Sequence, residues 1–289
     1  MIICIVGPTG VGKTKMSIEL AKKYNAIIIN CDATQVYKEL DIGSAKATKE
    51  EQENIPHYLL DFKDLDEEFT VYDYQIAARE ILNANKDKNI IFVGGTGLYL
   101  KAALYDYRFA KEDSFNNYDN LTNEELYNLC LKKDPNIKIH LNNRQRLIRF
   151  LNKENVEIVE PKPLYNHLII GLTTPRNNLY DIINKRVDKM IKEGLINEVE
   201  AFYKKNIRTK PLLNAIGYKE LYRYFDKEIS LEEAIDLIKK NSRHYAKRQY
   251  TFFNNQLDVN WFNVNYDNFD LTIEEVEKFI KENYDAKSK

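Results

Sequence analysis

Five short apolar runs punctuate the chain: Ile2–Val6, Ala26–Ile29, Ile90–Val93, Leu168–Leu172 and, more weakly, Val259–Val264. Each is continuous rather than alternating, the pattern of a strand covered on both faces. Between the first two lie a glycine-rich turn and a stretch carrying Met16, Ile18, Leu20 and Ala21. Strand, turn, amphipathic helix and strand in this order predict the start of a parallel α/β sheet. Helical spacing returns from Leu179 to Tyr203, through Ile182, Ile183, Val187, Met190 and Ile191. It returns again from Leu231 to Phe253, through Ala234, Ile235 and Ile238.

The stretch 111–165 has a different texture. It is polar and Asn-rich, with one helix pattern on Leu121, Leu126, Leu129 and Leu131, then Pro135, then a second through Leu147, Ile148 and Leu151. Only Val156–Val159 reads as strand-like there. The predicted organisation is an α/β, P-loop NTPase-like core of residues 1–110 and 166–289, with C-terminal helices and a helical insertion domain at 111–165. The polar tail Asp285–Lys289 is expected to fray.

Composition narrows the class. Hydrophobic residues make up 44% and charged residues 30% of 289 positions, enough apolar material for a core and too much for global disorder. No apolar run approaches the ~18 residues of a membrane span. The opening MIICIVG carries no basic leader or cleavage site, so a cytoplasmic location is the expectation. Three cysteines without a C-x-x-C pair argue against a disulfide framework, and four scattered histidines argue against zinc. The net charge of -1 conceals an asymmetry: residues 111–250 hold 26 Lys and Arg against 20 Asp and Glu. Such a region suits either an anionic partner or ordinary solvated helix faces.

The sharpest motif is Gly7-Pro8-Thr9-Gly10-Val11-Gly12-Lys13-Thr14, a full G-x-x-x-x-G-K-[ST] between a strand and a helix. Its glycines let backbone N–H groups converge on phosphate oxygens, at the positive end of a helix dipole. Lys13 supplies a point charge, and the Thr14 hydroxyl can ligate Mg²⁺. The motif says that a polyphosphate binds, not which one. ATPases of this class usually place an aspartate after a neighbouring apolar strand. Here Ile90–Val93 runs into Gly94-Gly95-Thr96, and the carboxylate at a strand end is Asp32. That arrangement points to a transferase and leaves an ATP-dependent small-molecule or nucleotide kinase as the alternative.

With the segments DATQVYK (Asp32–Lys38), DIGSAK (Asp41–Lys46), VGGTGLY (Val93–Tyr99), RQRLIR (Arg144–Arg149), AIGYKE (Ala215–Glu220) and AKRQ (Ala246–Gln249), the chain closely resembles the tRNA isopentenyltransferase family. The resemblance runs from Gly7 to about Phe253. It implies transfer of a dimethylallyl group from its diphosphate to N6 of adenosine 37, beside the tRNA anticodon. The cradle Gly7–Thr14 then holds the diphosphate, with Lys13 and a Thr14-bound Mg²⁺ facing the charge on the leaving group. Asp32 is the implied general base. Thr96 orients the amine or diphosphate, its plainer reading being a helix N-cap. The target base must leave its stack to be reached. Asp32, Ala33, Thr34 and Gln35 would line its site, Gln35 as a bidentate partner for an adenine edge.

Contact with the anticodon stem-loop is assigned by the resemblance to Gln145, Arg146, Leu147, Ile148 and Arg149. Charge pattern adds Arg243, Lys247 and Arg248, where no acid falls between Lys239 and Tyr250. Three positions depart from the family: Thr251-Phe252-Phe253-Asn254 replaces a T-W-F-R run, Asn143 stands where Asp is common, and Asn214 precedes AIGYKE. A monomer suffices for this chemistry, and no membrane partner is expected.

Overall fold

The computed structural model describes residues 1–109, 117–152 and 161–285. In chain order the elements are β1 (Ile2–Val6), α1 (Lys13–Tyr24), β2 (Ala26–Asn30), β3 (His57–Tyr58), α2 (Val71–Ala84), β4 (Asn89–Gly94), α3 (Gly97–Leu104), α4 (Asn123–Lys133), α5 (Arg144–Asn152), β5 (Leu168–Thr173), α6 (Arg176–Glu193), α7 (Leu195–Lys204), α8 (Lys210–Asn214), α9 (Tyr218–Phe225), α10 (Leu231–Gln256), β6 (Asn260–Asn263) and α11 (Phe269–Asp285).

The strands form one parallel sheet in the order β3-β2-β4-β1-β5-β6. The five apolar runs are β1, β2, β4, β5 and β6. The sixth strand, β3, pairs only His57 and Tyr58 with Ile28 and Ile29 at the sheet edge. Two residues carry no period, so this strand was not legible.

Neighbouring residues within a strand serve opposite faces. Ile3, Ile5, Ile28, Ile91 and Ile170 pack with Met16 and Leu20 of α1, Leu179 and Ile183 of α6, and Val276 and Ile280 of α11. Cys4, Val6, Ile27, Ile29, Phe92 and Ile169 pack with Tyr74 and Ala78 of α2 and Leu100 and Ala103 of α3. Full burial of one such aliphatic side chain contributes about 1.5–3 kcal/mol. Cover on both faces is why the strands read as unbroken apolar runs. A third apolar cluster joins Val36, Tyr37 and Leu40 to Leu195 and Val199 of α7 and Tyr218 and Leu221 of α9.

The helix expected from Leu179 to Tyr203 is two helices. Gly194 breaks it with φ 107°, a left-handed conformation that glycine adopts without a Cβ penalty. By contrast, α10 runs 26 residues from a capping box formed by Ser230 and Glu233.

Two compact units divide the chain: Met1–Tyr105 with Pro163–Lys289, and Asp106–Lys162. In the smaller unit α4 and α5 pack through Leu126, Cys130 and Leu147. The strand-like run Val156–Val159 lies outside the described residues. So does the tail beyond Asp285, which itself ends α11. Among the described residues, no helix is long and apolar enough to cross a membrane.

Candidate active site

The site is built at the carboxyl ends of β1, β2 and β4, where parallel sheets of this kind open a crevice. From Val6 the chain turns at once through Gly7–Gly12 into α1. Gly7, Gly10 and Gly12 take φ values of 138°, 90° and 85°. A Cβ on Gly7 would stand 2.5 Å from the Leu172 carbonyl oxygen, so the turn tolerates no larger residue there. Lys13 folds back over the loop and donates from Nζ to the Pro8 carbonyl at 2.7 Å. Thr14 is exposed in the first turn of α1, which carries no acidic residue to compete for an anion.

Two strands away, the turn Asn30-Cys31-Asp32 is fixed from several sides. Tyr74 donates its hydroxyl to the Asn30 carbonyl at 2.9 Å, and Asn30 Nδ2 donates to the Leu59 carbonyl at 2.8 Å. The Cys31 carbonyl lies 2.1 Å from where a Cβ on Gly94 would be, so the first glycine of the Gly94-Gly95 pair is required by this approach. Asp32 Oδ1 accepts the backbone N–H groups of Thr34 at 2.9 Å and Gln35 at 3.3 Å. This Asx-turn geometry locks the carboxylate and leaves Oδ2 without a hydrogen-bond partner among the described residues. Burial pushes the neighbouring Cys31 thiol up to about 12, so it is no nucleophile at neutral pH.

Thr96 is the N-cap of α3 but makes no side-chain cap bond. Its hydroxyl instead accepts the Ala33 N–H at 3.1 Å, and Tyr245 of α10 interacts with the same hydroxyl. Burial and then the negative charge of Asp32 push the Tyr245 phenol up, so it stays protonated. Gln35 donates from Nε2 to the Ser44 and Ala45 carbonyls, both at 3.1 Å. That commitment ties its amide nitrogen to the D-I-G-S-A-K turn and removes the donor half of the bidentate adenine contact expected from sequence.

Thr9, Gly10, Gly12, Lys13, Thr14, Asp32, Ala33, Thr34, Gln35 and Tyr245 line one cleft of about 840 Å³, and Thr96 stands behind its wall, bonded to Ala33. Burial, and then the positive charge of Arg186, lower the Lys13 pKa to about 7, with the Asp32 charge opposing the shift. Arg186 of α6 also lines the cleft and was not singled out in the sequence, while Lys219 of α9 and Gln249 of α10 fell within the AIGYKE and AKRQ segments but were given no role there. Gln249 is buried; its Oε1 accepts the Thr9 N–H at 3.2 Å and its Nε2 donates to the Gly95 carbonyl at 3.1 Å.

A profile of the IPP transferase family matches residues 35–256. The chain is 45% identical to the tRNA dimethylallyltransferase of Anoxybacillus flavithermus, over 97% of this chain and 96% of that protein. It is 43% identical to that of Macrococcus caseolyticus, over 98% and 95%. The chain belongs to the IPP transferase family. Its fold matches the crystal structure of the full-length tRNA isopentenylpyrophosphate transferase of Bacillus halodurans, with a TM-score of 0.78 at 40% identity, covering 99% of this chain and 97% of that one. It also resembles a eukaryotic dimethylallyltransferase acting on tRNA, with a TM-score of 0.72 at 27% identity over 90% of this chain and 73% of that one.

The family segment on α5 separates into two faces. Gln145, Arg146 and Arg149 are exposed. Leu147 is fully buried against Leu126 and Cys130, and Ile148 packs against the same cluster. Leu147 therefore holds the helix, and the expectation that its side chain meets RNA is corrected by its burial. Arg144 is a structural residue too, donating to the Leu121 carbonyl at 2.6 Å and the Tyr118 carbonyl at 2.7 Å. On α10, Lys247 and Arg248 are exposed, with Arg248 over the Tyr245 ring at 5.6 Å. Arg243 donates to Asn184 Oδ1 at 2.6 Å.

Two of the departures from the family pattern have structural uses. Phe252 covers Gly97, and Asn254 accepts the Trp261 indole N–H at 3.0 Å.

Proposed function

We propose that this chain transfers a dimethylallyl group from dimethylallyl diphosphate to N6 of adenosine 37 in tRNA, releasing diphosphate. The observation that carries this reading is the pairing of the Gly7–Thr14 cradle with the unpartnered Oδ2 of Asp32 across one cleft, in a chain of the IPP transferase family.

The loop amides and Lys13 bind the diphosphate. As the C1–O bond breaks, its electron pair leaves with the diphosphate, and these donors stabilise the charge that develops there. The adenine amine is a poor nucleophile because its lone pair is delocalised into the ring. Asp32 accepts one of its protons as the N6–C1 bond forms. Thr96 and Tyr245 hold the Ala33 turn beside the acid, and the cleft receives the base once it has left its stack.

Mg²⁺ fits the donor set. Thr14 presents one exposed hard-oxygen ligand, and no cluster of three or more His, Cys, Asp or Glu side chains capable of holding a metal occurs among the described residues. A metal at Thr14 would be shared with the substrate's phosphate oxygens and water, the usual habit of Mg²⁺. When bound, it adds Lewis-acid neutralisation of the leaving diphosphate. The exposed Gln145, Arg146 and Arg149, with Lys247 and Arg248, supply phosphate contacts to the anticodon stem-loop. The work of such an enzyme lies in the cytoplasm.

The test is incubation with radiolabelled dimethylallyl diphosphate and unmodified tRNA. Label entering RNA without ATP supports the proposal. ATP-dependent phosphorylation of a metabolite, with no label in RNA, would replace it with a kinase.

A further inference from the structure

Glu198 of α7 collects three donors from two other parts of the chain. Its Oε2 accepts the Ile42 N–H at 2.8 Å, and its Oε1 accepts the Gly43 N–H at 3.2 Å and the Tyr218 hydroxyl at 2.5 Å. Tyr218 opens α9 and is fully buried. Burial, and then the charge of Glu198, push its phenol up, so it stays a donor. Its ring lies so near the turn that a Cβ on Gly43 would stand 2.4 Å from it. Asp41, Ile42, Gly43, Ser44 and Ala45 line the cleft, and Glu198 stands behind them.

The clamped turn is bent sharply. Ala45 has φ 48°, a left-handed conformation unusual for a residue with a Cβ, and its N–H donates to the Ile42 carbonyl at 3.0 Å. Such a conformation persists where the surroundings over-determine it. Glu198 grips the turn before Ala45. Lys46 grips it after, from Nζ to the Tyr37 carbonyl at 2.8 Å and to Asp41 and Asp61, both at 2.6 Å. The turn in its turn presents the Ser44 and Ala45 carbonyls, each accepting from Gln35 Nε2 at 3.1 Å. The nitrogen of that amide is thereby committed, and its Oε1 accepts no hydrogen bond among the described residues. Gln35 also donates its backbone N–H to Asp32 Oδ1 at 3.3 Å. One hydrogen-bonded path therefore runs from Glu198 through the turn and Gln35 to the acid.

We infer that Glu198 is a positioning residue for the acceptor side: it fixes the turn at residues 41–45, which orients the Gln35 amide so that Oε1 alone is offered to the incoming purine. This deepens the transferase reading and rests on it. The purine amine carries two protons. Asp32 takes one, and Gln35 Oε1 accepts the other, which holds the attacking nitrogen in place. A purine with a carbonyl instead of the amine would meet two acceptors and be repelled. With the turn released, the Gln35 amide is free to rotate and offer its nitrogen instead.

The experiment measures single-turnover transfer of labelled dimethylallyl at saturating tRNA. Calorimetry with inorganic pyrophosphate, run on each variant, counts the folded sites. Glu198→Gln sets an NH₂ group against the donors of the turn. Tyr218→Phe is milder, removing one donor while keeping the ring against Gly43, and carries the same comparison if Glu198→Gln does not fold. The expected result is that Glu198→Gln slows transfer per folded site about 10- to 100-fold, the scale of a misplaced group beside reacting atoms. Tyr218→Phe slows it less, and pyrophosphate affinity is unchanged in both. On a Gln35→Ala background neither substitution slows transfer further, because the residue through which they act is gone. Equal slowing on both backgrounds, or none on the wild-type background, overturns the assignment while leaving the transferase reading in place. Weakened pyrophosphate binding in Tyr218→Phe, the mark of a general disruption, overturns it too. A wild type that transfers no label to tRNA overturns the transferase reading itself and the role of Glu198 with it.

Discussion

Gln249 and Thr9 are joined across 240 residues of chain: the Thr9 N–H donates to Gln249 Oε1 at 3.2 Å. The other end of the same buried amide donates to the Gly95 carbonyl at 3.1 Å. One side chain of α10 therefore ties the phosphate loop to the loop after β4. A Cβ on Gly95 would stand 2.0 Å from Gln249 Nε2, so any larger residue there displaces this amide.

Gln249→Ala strands the half-buried Thr9 N–H and the buried Gly95 carbonyl. The expected cost is about 1–3 kcal/mol for each group left unsatisfied, read as a lower urea midpoint. KM for dimethylallyl diphosphate should rise as the loop loses its brace. An unchanged urea midpoint and KM would remove Gln249 from the architecture of the site.

Lys13 makes a pH prediction. Its folded pKa is lowered to about 7 from the ordinary lysine value of 10.5, chiefly by burial and then by Arg186, against the opposing charge of Asp32. Between those values the unfolded chain holds the extra proton, so stability rises with pH across that window and levels off above it. Below the window the ammonium is charged in both states and its full burial cost is present. Lys13→Met should flatten this part of the stability curve, as measured by urea denaturation at a series of pH values. Pyrophosphate should restore the proton. Calorimetry in two buffers at about pH 8 is expected to show more proton uptake by wild type than by Lys13→Met.

The two faces of α5 predict opposite phenotypes for adjacent residues. Charge reversal at exposed Arg146 and Arg149 should weaken tRNA binding and reduce its salt slope by about 1–2, while leaving the fold intact. Leu147→Ala should cost about 2–5 kcal/mol of stability instead. Filter binding across a salt series, beside denaturation of each variant, separates the two. An unaltered slope in the double reversal would argue that this helix face does not touch RNA.

How much of this was readable follows from where the signal lies. Ile2–Val6 and its glycine turn are contiguous, so strand, loop and helix could be placed from sequence. Asp32 was readable because it ends an apolar strand. Arg186 was not, because on a helix patterned by Ile183 and Val187 nothing in spacing distinguishes a cation facing a cleft from one facing water. Glu198 was hidden for a similar reason. Its carboxylate accepts the N–H groups of Ile42 at 2.8 Å and Gly43 at 3.2 Å, a contact between segments more than 150 residues apart. Thr96 looked like a helix cap, and only the bond from Ala33 separates that role from its place beside the acid. The break at Gly194 was visible as a glycine, but isolated glycines also occur within helices.

The central claim is that Asp32 takes the amine proton while the loop holds the leaving group. The most direct measurement is single-turnover transfer of labelled dimethylallyl to unmodified tRNA by wild type and Asp32→Ala, with tRNA affinity measured in parallel. Loss of about 10²–10⁴-fold in rate at unchanged affinity is the predicted outcome. A variant that transfers label as fast as wild type would contradict the account.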